Sequence, residues 1–286
     1  MSVERSRITS RDNAVLVRIR RLNATPDAYR KLGLVWLEGD HLLAAAQARG
    51  WPIDDALVAA AHEHDAALQP LLQAAQRVRV VDDKLWAGLG ALSSKAAIAG
   101  LVAWPGLKAI EPDCATVVLD RVQDAGNFGS ILRSAAAFGV AQVIALKGCV
   151  ALWSPKVVRA GMGAHFALRL VEAAEEDALD GLRVPLVATS PYASQSIVSA
   201  ALPSPCAWLF GHEGQGVAPS LLQRCALQLA IPLPGGEESL NVAAAAAVCL
   251  YESARRVDLK ERRAAPELLD PRGGRAGPQP GLGGTQ

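Results

Sequence analysis

Residues 115–146 read ATVVLDRVQDAGNFGSILRSAAAFGVAQVIAL. Thr116 to Leu119 is an uninterrupted apolar run. From Asn127 to Phe138 the apolar residues recur at helical spacing, with Phe128, Ile131, Leu132 and Ala135 on one face. Gly139 stops that pattern, and Gln142 to Leu146 is a second apolar run. Strand, helix and strand in such tight succession predict a parallel pair with the helix packed across it.

The same alternation continues toward the C-terminus. Ser154–Ala164 reads as helix, Ala167–Val171 as strand, Ala174–Leu182 as helix and Pro185–Thr189 as strand. Cys206–Phe210 and Leu227–Ile231 read as two further strands separated by a short helix, Ala218–Cys225. Ser239–Arg256 reads as a long, alanine-rich closing helix. The expected fold class is α/β: a mainly parallel sheet with helices on both faces. Residues 31–108 read as a smaller N-terminal α/β domain, with a strand at Leu34–Glu38, a helix at Asp40–Arg49 capped by Asp40, and strand or helix pieces at Ile53–Ala60 and Arg77–Val81. A helix near Ala87–Leu92 and an apolar stretch, Ala96–Trp104, follow. Trp104-Pro105-Gly106 and Glu111-Pro112-Asp113 punctuate a linker, placed at 109–114. The main domain is placed at 115–258. The Pro- and Gly-rich residues 259–286 read as a disordered tail.

The chain has 286 residues, of which 51% are hydrophobic, 20% charged and 5% aromatic. That apolar fraction is ample for a core and excludes wholesale disorder. The net charge of +1 hides an asymmetry. Residues 1–31 carry eight Lys/Arg against three acids, and 1–110 sum to +3. Residues 111–258 sum to −4, and the tail to +2. Residues 1–30 therefore read as a basic, partly flexible arm, with Arg18, Arg20 and Arg21 as candidate contacts to phosphates. A merely solvated terminus fits the charge count equally well. Five widely spaced cysteines with no C-x-x-C give no zinc site or disulfide framework, and no metal is expected; His62 and His64, two residues apart, would diverge on a helix. No run approaches about 18 uncharged apolar residues, and the arginine-rich N-terminus has no secretory apolar region. The expected compartment is the cytoplasm, with no membrane partner.

Familiar nucleotide signatures are missing: there is no G-x-x-x-x-G-K-[ST], and Gly161-Met162-Gly163 falls within a helical pattern rather than after a first strand. No G-x-S-x-G elbow is present. Three loops remain, each at the carboxyl end of an expected strand. The first runs from Leu119 to Arg133 and includes Asn127 at the helix start. The second is Leu209-Phe210-Gly211-His212-Glu213-Gly214-Gln215-Gly216-Val217, where glycines surround one carboxylate and allow a ligand to approach the backbone. The third runs from Ile231 to Val242, with Ser239 as the expected helix cap and Asn241 in the first turn, beside free N–H groups. Taken singly, each loop also reads as ordinary capping or turn chemistry. Together they would converge on one crevice, as ligand loops do in open α/β sheets.

At these residues the sequence resembles the SpoU/TrmH family of RNA ribose 2′-O-methyltransferases, in the SPOUT superfamily. Asn127-Phe128-Gly129-Ser130-Ile131-Leu132-Arg133 is similar to the family's first motif, Leu209–Val217 to its second, and Ile231-Pro232-Leu233 with Ser239-Leu240-Asn241-Val242 to its third. Trp36-Leu37-Glu38-Gly39 resembles the family's ribosomal-protein-like RNA-binding domain. The resemblance implies a trefoil knot built from residues 206–242. It implies S-adenosylmethionine as cofactor, bound by Leu209, Gly211, Gly216, Ile231 and Leu240, with backbone contacts at Gly211, Ile231 and Leu240. It implies a homodimer through the main domain, for which the closing helix is a suitable element.

The implied catalytic set is Arg133, Asn127, Glu213, Ser239 and Asn241. Arg133 would act on the ribose hydroxyl and contact RNA; a free guanidinium is too weak a base to take the proton unaided. Asn127 and Asn241 would position RNA or Arg133, Glu213 would order the loops, and Ser239 would bond near the hydroxyl or a phosphate. The sequence departs from the family pattern at Ala125, often Pro, at Ala243, often Ser, and in the acidic loop Gly235-Gly236-Glu237-Glu238. The expected substrate is ribosomal RNA. The alternatives are transfer RNA, methylation of a base, or a non-catalytic RNA-binding or ribosome-assembly factor with the same fold.

Overall fold

The computed structural model describes residues 3–90 and 96–257. Its N-terminal part contains β1 (Glu4–Ile8), α1 (Ala14–Ala24), α2 (Ala28–Leu32), β2 (Leu34–Glu38), α3 (Asp40–Ala48), β3 (Ile53–Ala59), α4 (Gln69–Gln73), β4 (Ala75–Val81), α5 (Asp83–Trp86) and β5 (Ile98–Ala103). The five strands form one mixed sheet in the order β1-β4-β3-β5-β2.

The segment read as a flexible arm is folded instead. β1 pairs parallel with β4, from Glu4 opposite Arg77 to Ile8 opposite Val81. Leu16, Ile19 and Leu22 of α1 are fully buried, one turn apart. Asn13 caps this helix by accepting from the Val15 N–H. The charge of the segment has a structural use, since an edge strand rich in Arg and Glu resists further pairing. Arg18 and Arg21 face solvent, while Arg20 donates to the Arg11 carbonyl.

The second part contains β6 (Thr116–Leu119), α6 (Ala125–Ala137), β7 (Gln142–Leu146), α7 (Pro155–Gly161), β8 (Arg169–Ala174), β9 (Leu186–Thr189), β10 (Ala207–Phe210), α8 (Pro219–Gln223), β11 (Leu227–Leu229) and α9 (Val242–Arg256). Its six strands are all parallel, in the order β11-β9-β10-β6-β7-β8. Every residue of β6, β7 and β10 is buried, which is why these strands are continuous apolar runs. β6 to β8 build outward on one side of the β6–β10 pair, and β9 and β11 lie on the other. The direction of winding reverses there, a topological switch point.

Several local expectations shift. The segment 174–182, read as a helix, is one short 3₁₀ stretch at Glu176–Gly181, and β8 extends to Ala174. Gly39, not Asp40, occupies the cap of α3, with Asp40 already in the first turn. The helix expected near 87–92 does not form over its described residues: a single turn, α5, ends at Trp86, and residues 87–89 are a turn; residues 91 and 92 lie outside the described residues, as does the tail expectation for 259–286.

The two parts share one apolar core. Trp51 packs against Phe166 and Trp153, with ring centroids 5.1 and 5.7 Å apart. Glu172 of β8 is buried and accepts from Tyr29 Oη and Arg30 Nε, both at 2.7 Å. Burial first, then the Glu172 charge, pushes the Tyr29 hydroxyl well above its ordinary value. Gly163 has φ +89°, and a Cβ there would lie 2.5 Å from the Ala45 Cβ, so this contact between the parts tolerates no side chain.

Candidate active site

The loops after β6, β9, β10 and β11 all emerge at the carboxyl ends of neighbouring parallel strands. The β6 loop begins with Asp120, which is buried. Its carboxylate accepts from Arg121 through Nε at 2.8 Å and Nη2 at 2.9 Å, and from the Ala218 N–H at 2.8 Å. Arg121 also reaches the β10 loop, donating to Gln215 Oε1 at 2.7 Å and to the Gly216 carbonyl at 3.3 Å. This pair ties the first loop to the second. Neither residue belongs to the motif set expected from the sequence; an Asp-Arg step directly after a buried strand is the signal that marks them.

α6 begins two residues earlier than expected. Asp124 caps it, its side chain accepting from the Asn127 N–H at 2.7 Å. Asn127 is thus inside the first turn and its side chain is freed from capping. Asn127 Nδ2 donates to Glu213 Oε1 at 3.2 Å, and Asn127 Oδ1 accepts from Asn241 Nδ2 at 2.9 Å. Glu213 Oε1 accepts the Asp124 N–H as well. Burial alone would raise the Glu213 carboxyl. Hydrogen bonds from its own N–H, from Asn127, and from the Asp124 and Gln123 backbone outweigh burial and hold it below the usual carboxylate value. One carboxylate and two amides therefore link all three motif loops.

The β10 loop is closed on itself. His212 and Gly216 exchange both backbone hydrogen bonds, at 3.0 and 2.8 Å. A Cβ on Gly211 would stand 2.2 Å from the Gly216 and Val217 backbone, so the loop's own return path excludes a side chain there. The close approach expected at Gly211 is first an approach of chain to chain. Leu209 is fully buried beneath this loop, its backbone paired with β6 and β9.

In the third loop, Asn241 rather than Ser239 caps α9, with Oδ1 accepting from the Ala243 and Ala244 N–H groups. Ser239 is left free to face a cavity of about 100 Å³ formed with Thr189, Ser190, Pro191, Ile231, Leu233, Glu238, Leu240 and Ala245. Ile231, Ser239 and Leu240 therefore line one cavity. The share of the β9 loop, Thr189 to Pro191, was missed; its place beside β10 was not readable before the strand order was known.

Arg133 lies elsewhere. It is exposed on α6 and lines a cleft between the two parts of the molecule with Arg49, Ala136 and Gly161 to Ala164. The structure joins Asn127, Glu213 and Asn241 by hydrogen bonds, and Ile231, Ser239 and Leu240 in one cavity. It adds Arg133 to neither group. Among the described residues, no three His, Cys, Asp or Glu side chains converge as metal ligands would, and no helix is long and apolar enough to cross a membrane.

Residues 115–251 match the model of the SpoU rRNA Methylase family. An uncharacterized tRNA/rRNA methyltransferase of Synechocystis is 34% identical over 261 residues, covering 87% of this chain and 93% of that one. A Bacillus subtilis 23S rRNA guanosine 2′-O-methyltransferase is 35% identical over 143 residues, 47% of this chain and 56% of its own length. A solved RNA 2′-O ribose methyltransferase is similar with a TM-score of 0.73 and 31% identity, over 87% of this chain and 98% of that one. The AdoMet-bound rRNA methyltransferase of Sinorhizobium meliloti matches with a TM-score of 0.75 and 26% identity, over 88% and 98%. With its three motif loops gathered at one end of a parallel sheet, the chain belongs to the SpoU methylase family.

Proposed function

We propose that this protein transfers a methyl group from S-adenosylmethionine to a ribose 2′-hydroxyl of RNA, with ribosomal RNA as the substrate. The observation that carries this reading is the Glu213–Asn127–Asn241 hydrogen-bond chain, which fixes three family motifs at the switch point of a parallel sheet.

The cavity beside Leu240 fits the cofactor chemically. Ile231, Leu233, Leu240 and Pro191 offer apolar walls for a flat base, while Thr189, Ser190, Ser239 and Glu238 offer partners for ribose hydroxyls. Backbone groups of Gly211, Ile231 and Leu240 complete the binding set, Gly216 shapes the second loop through its bonds to His212, and Leu209 holds that loop from beneath. When bound, the cofactor supplies an electrophilic sulfonium methyl.

The chain's own residues must orient the 2′-hydroxyl and manage its proton. A guanidinium is too weak a base to take the proton, so the role of Arg133 is to hold the hydroxyl and an adjoining phosphate. Asn127 and Asn241 keep the motif loops in register, Glu213 orders them, and Ser239 bonds near the hydroxyl. Because Arg133 and Leu240 line separate cavities of one chain, a homodimer belongs to this reading: a second copy carries Arg133 to the Leu240 cavity. The family's knot through 206–242 and a cytoplasmic setting belong to it too. Arg18 and Arg21, exposed on α1, extend the RNA-facing surface.

Transfer RNA is the second reading, favoured by the joint tRNA/rRNA name of the Synechocystis relative. Ribose-methylation mapping of total RNA, with and without the gene, separates the two. Loss of one ribosomal 2′-O-methyl site supports the first reading; loss of a transfer-RNA site supports the second; no lost site refutes both.

A further inference from the structure

Most arginines of the described chain are neutralised. Arg7, Arg30, Arg77, Arg79, Arg121, Arg169, Arg183, Arg224, Arg255 and Arg256 each lie against a carboxylate. Arg49 and Arg133 are among those that do not, and they are the two that line a common cavity. They come from different parts of the molecule, Arg49 at the end of α3 and Arg133 from the middle of α6, and they line one cleft of about 290 Å³. Both side chains are exposed, and neither guanidinium has an ion-pair or hydrogen-bond partner among the described residues.

Two unneutralised guanidiniums on one cleft repel each other, and an anion between them removes that cost. The rest of the lining favours a ligand backbone over a ligand side group. Ala45, Ala48, Ala136 and Gly163 are too small to fill the cleft, and the Gly163–Ala45 contact fixes how near the two walls stand. Lys156 and Arg159 follow on the exposed face of the adjoining helix α7, again without carboxylate partners among the described residues. Several cations without carboxylate partners, on the cleft and on the helix that leads into it, match a polyanion better than a small anion.

We propose that Arg49 and Arg133 together grip one backbone phosphodiester of the RNA at this junction. Arg49 is thereby a substrate-positioning residue supplied by the N-terminal part. Two planar guanidiniums can offer a phosphate several charge-assisted hydrogen bonds, which a lysine cannot reproduce. This inference rests on the RNA-methyltransferase reading and adds the residue through which the N-terminal part sets the position of the reacting nucleotide.

The test uses the full chain and a fluorescein-labelled single-stranded RNA oligonucleotide, followed by anisotropy across a salt series, together with steady-state methylation of unmodified ribosomal RNA. Arg49→Ala should weaken RNA binding about tenfold, the loss of one charge-assisted contact. It should raise KM for RNA by a similar factor while leaving KM for S-adenosylmethionine and the melting temperature unchanged. Arg49→Lys should restore part, but not all, of the affinity and of the KM for RNA, because a lysine keeps the charge without the planar hydrogen-bond fork. Because both arginines serve one phosphate, the double variant Arg49→Ala/Arg133→Ala should flatten the slope of log affinity against log salt by only about 0.7. Wild-type RNA affinity in Arg49→Ala, or an unchanged slope in the double variant, would overturn the proposal. A wild-type protein that binds RNA with this slope yet methylates no ribose would instead sink the functional reading and leave the phosphate grip standing.

Discussion

Asn241 Nδ2 donates to Asn127 Oδ1 at 2.9 Å, joining residues 114 positions apart. Each asparagine does two things at once. Asn241 also caps α9 through its oxygen, and Asn127 also donates to Glu213. Replacing either amide by a carboxylate would set like charges against each other or remove a donor. Asn127→Asp should cost at least tenfold in kcat/KM, because its charge would face Glu213, while a double-mutant cycle between Asn127→Ala and Asn241→Ala should return a coupling of about 0.5–1.5 kcal/mol. Turnover of Asn127→Asp and chemical denaturation of the four proteins of the cycle measure the two effects; additive losses would mean that the amide bridge carries no energy.

Arg133→Ala should abolish methyl transfer and leave the melting temperature unchanged, since the side chain is exposed and has no partner among the described residues. If the residue acts across a dimer, mixing Arg133→Ala with a Gly211→Val chain should recover part of the activity. Gly211→Val closes the β10 loop's return path in its own chain only. Mixed dimers without recovery would place Arg133 and the cofactor in the same protomer.

Acid should destabilise the protein through His165. The ring is fully buried, its Nε2–H donates to the Leu152 carbonyl at 2.9 Å, and Nδ1 has no partner among the described residues. Burial lowers its pKa from 6.5 to about 4. The unfolded chain therefore binds the proton first as pH falls, and stability drops between about 6.5 and 4, by about 3 kcal/mol in all. His165→Gln should flatten that part of the stability–pH curve. An unchanged slope in urea titrations at several pH values would show that the imidazole is not its source.

Glu172 should behave as the pin between the two parts. Tyr29→Phe removes a hydrogen bond to a buried carboxylate and should cost about 1.5–3 kcal/mol. Arg30→Met leaves that carboxylate without its cation and should cost at least as much. Thermal unfolding of the two variants checks the order; a Tyr29→Phe protein as stable as wild type would show that the Glu172 contact is dispensable.

The sequence revealed most where burial was complete. β6, β7 and β10 are buried on both faces, so their apolar runs had one reading, and the loops at their carboxyl ends followed. Helix starts were less legible, because Asp124 and Asn127, or Ser239 and Asn241, are equally good caps a few residues apart. Tertiary hydrogen bonds to Asn127 and Asn241 decided between them. Residues 1–30 were read by charge alone, although Leu16, Ile19 and Leu22 already carried helical spacing. Their arginines therefore need testing by point changes such as Arg18→Glu; deleting the segment would remove β1 and three core residues. The roles of Asp120, Arg121 and the Thr189–Pro191 loop depend on strand order, and sequence spacing does not encode that order.

The most direct test of the central claim is methyl transfer by the purified full chain. Ribosomal RNA from cells lacking the gene is incubated with methyl-labelled S-adenosylmethionine, digested to nucleosides and resolved. Label should appear in a single 2′-O-methylnucleoside, and in none when Arg133→Ala replaces the wild type. Label on a base, or equal ribose labelling by the Arg133→Ala protein, would contradict it.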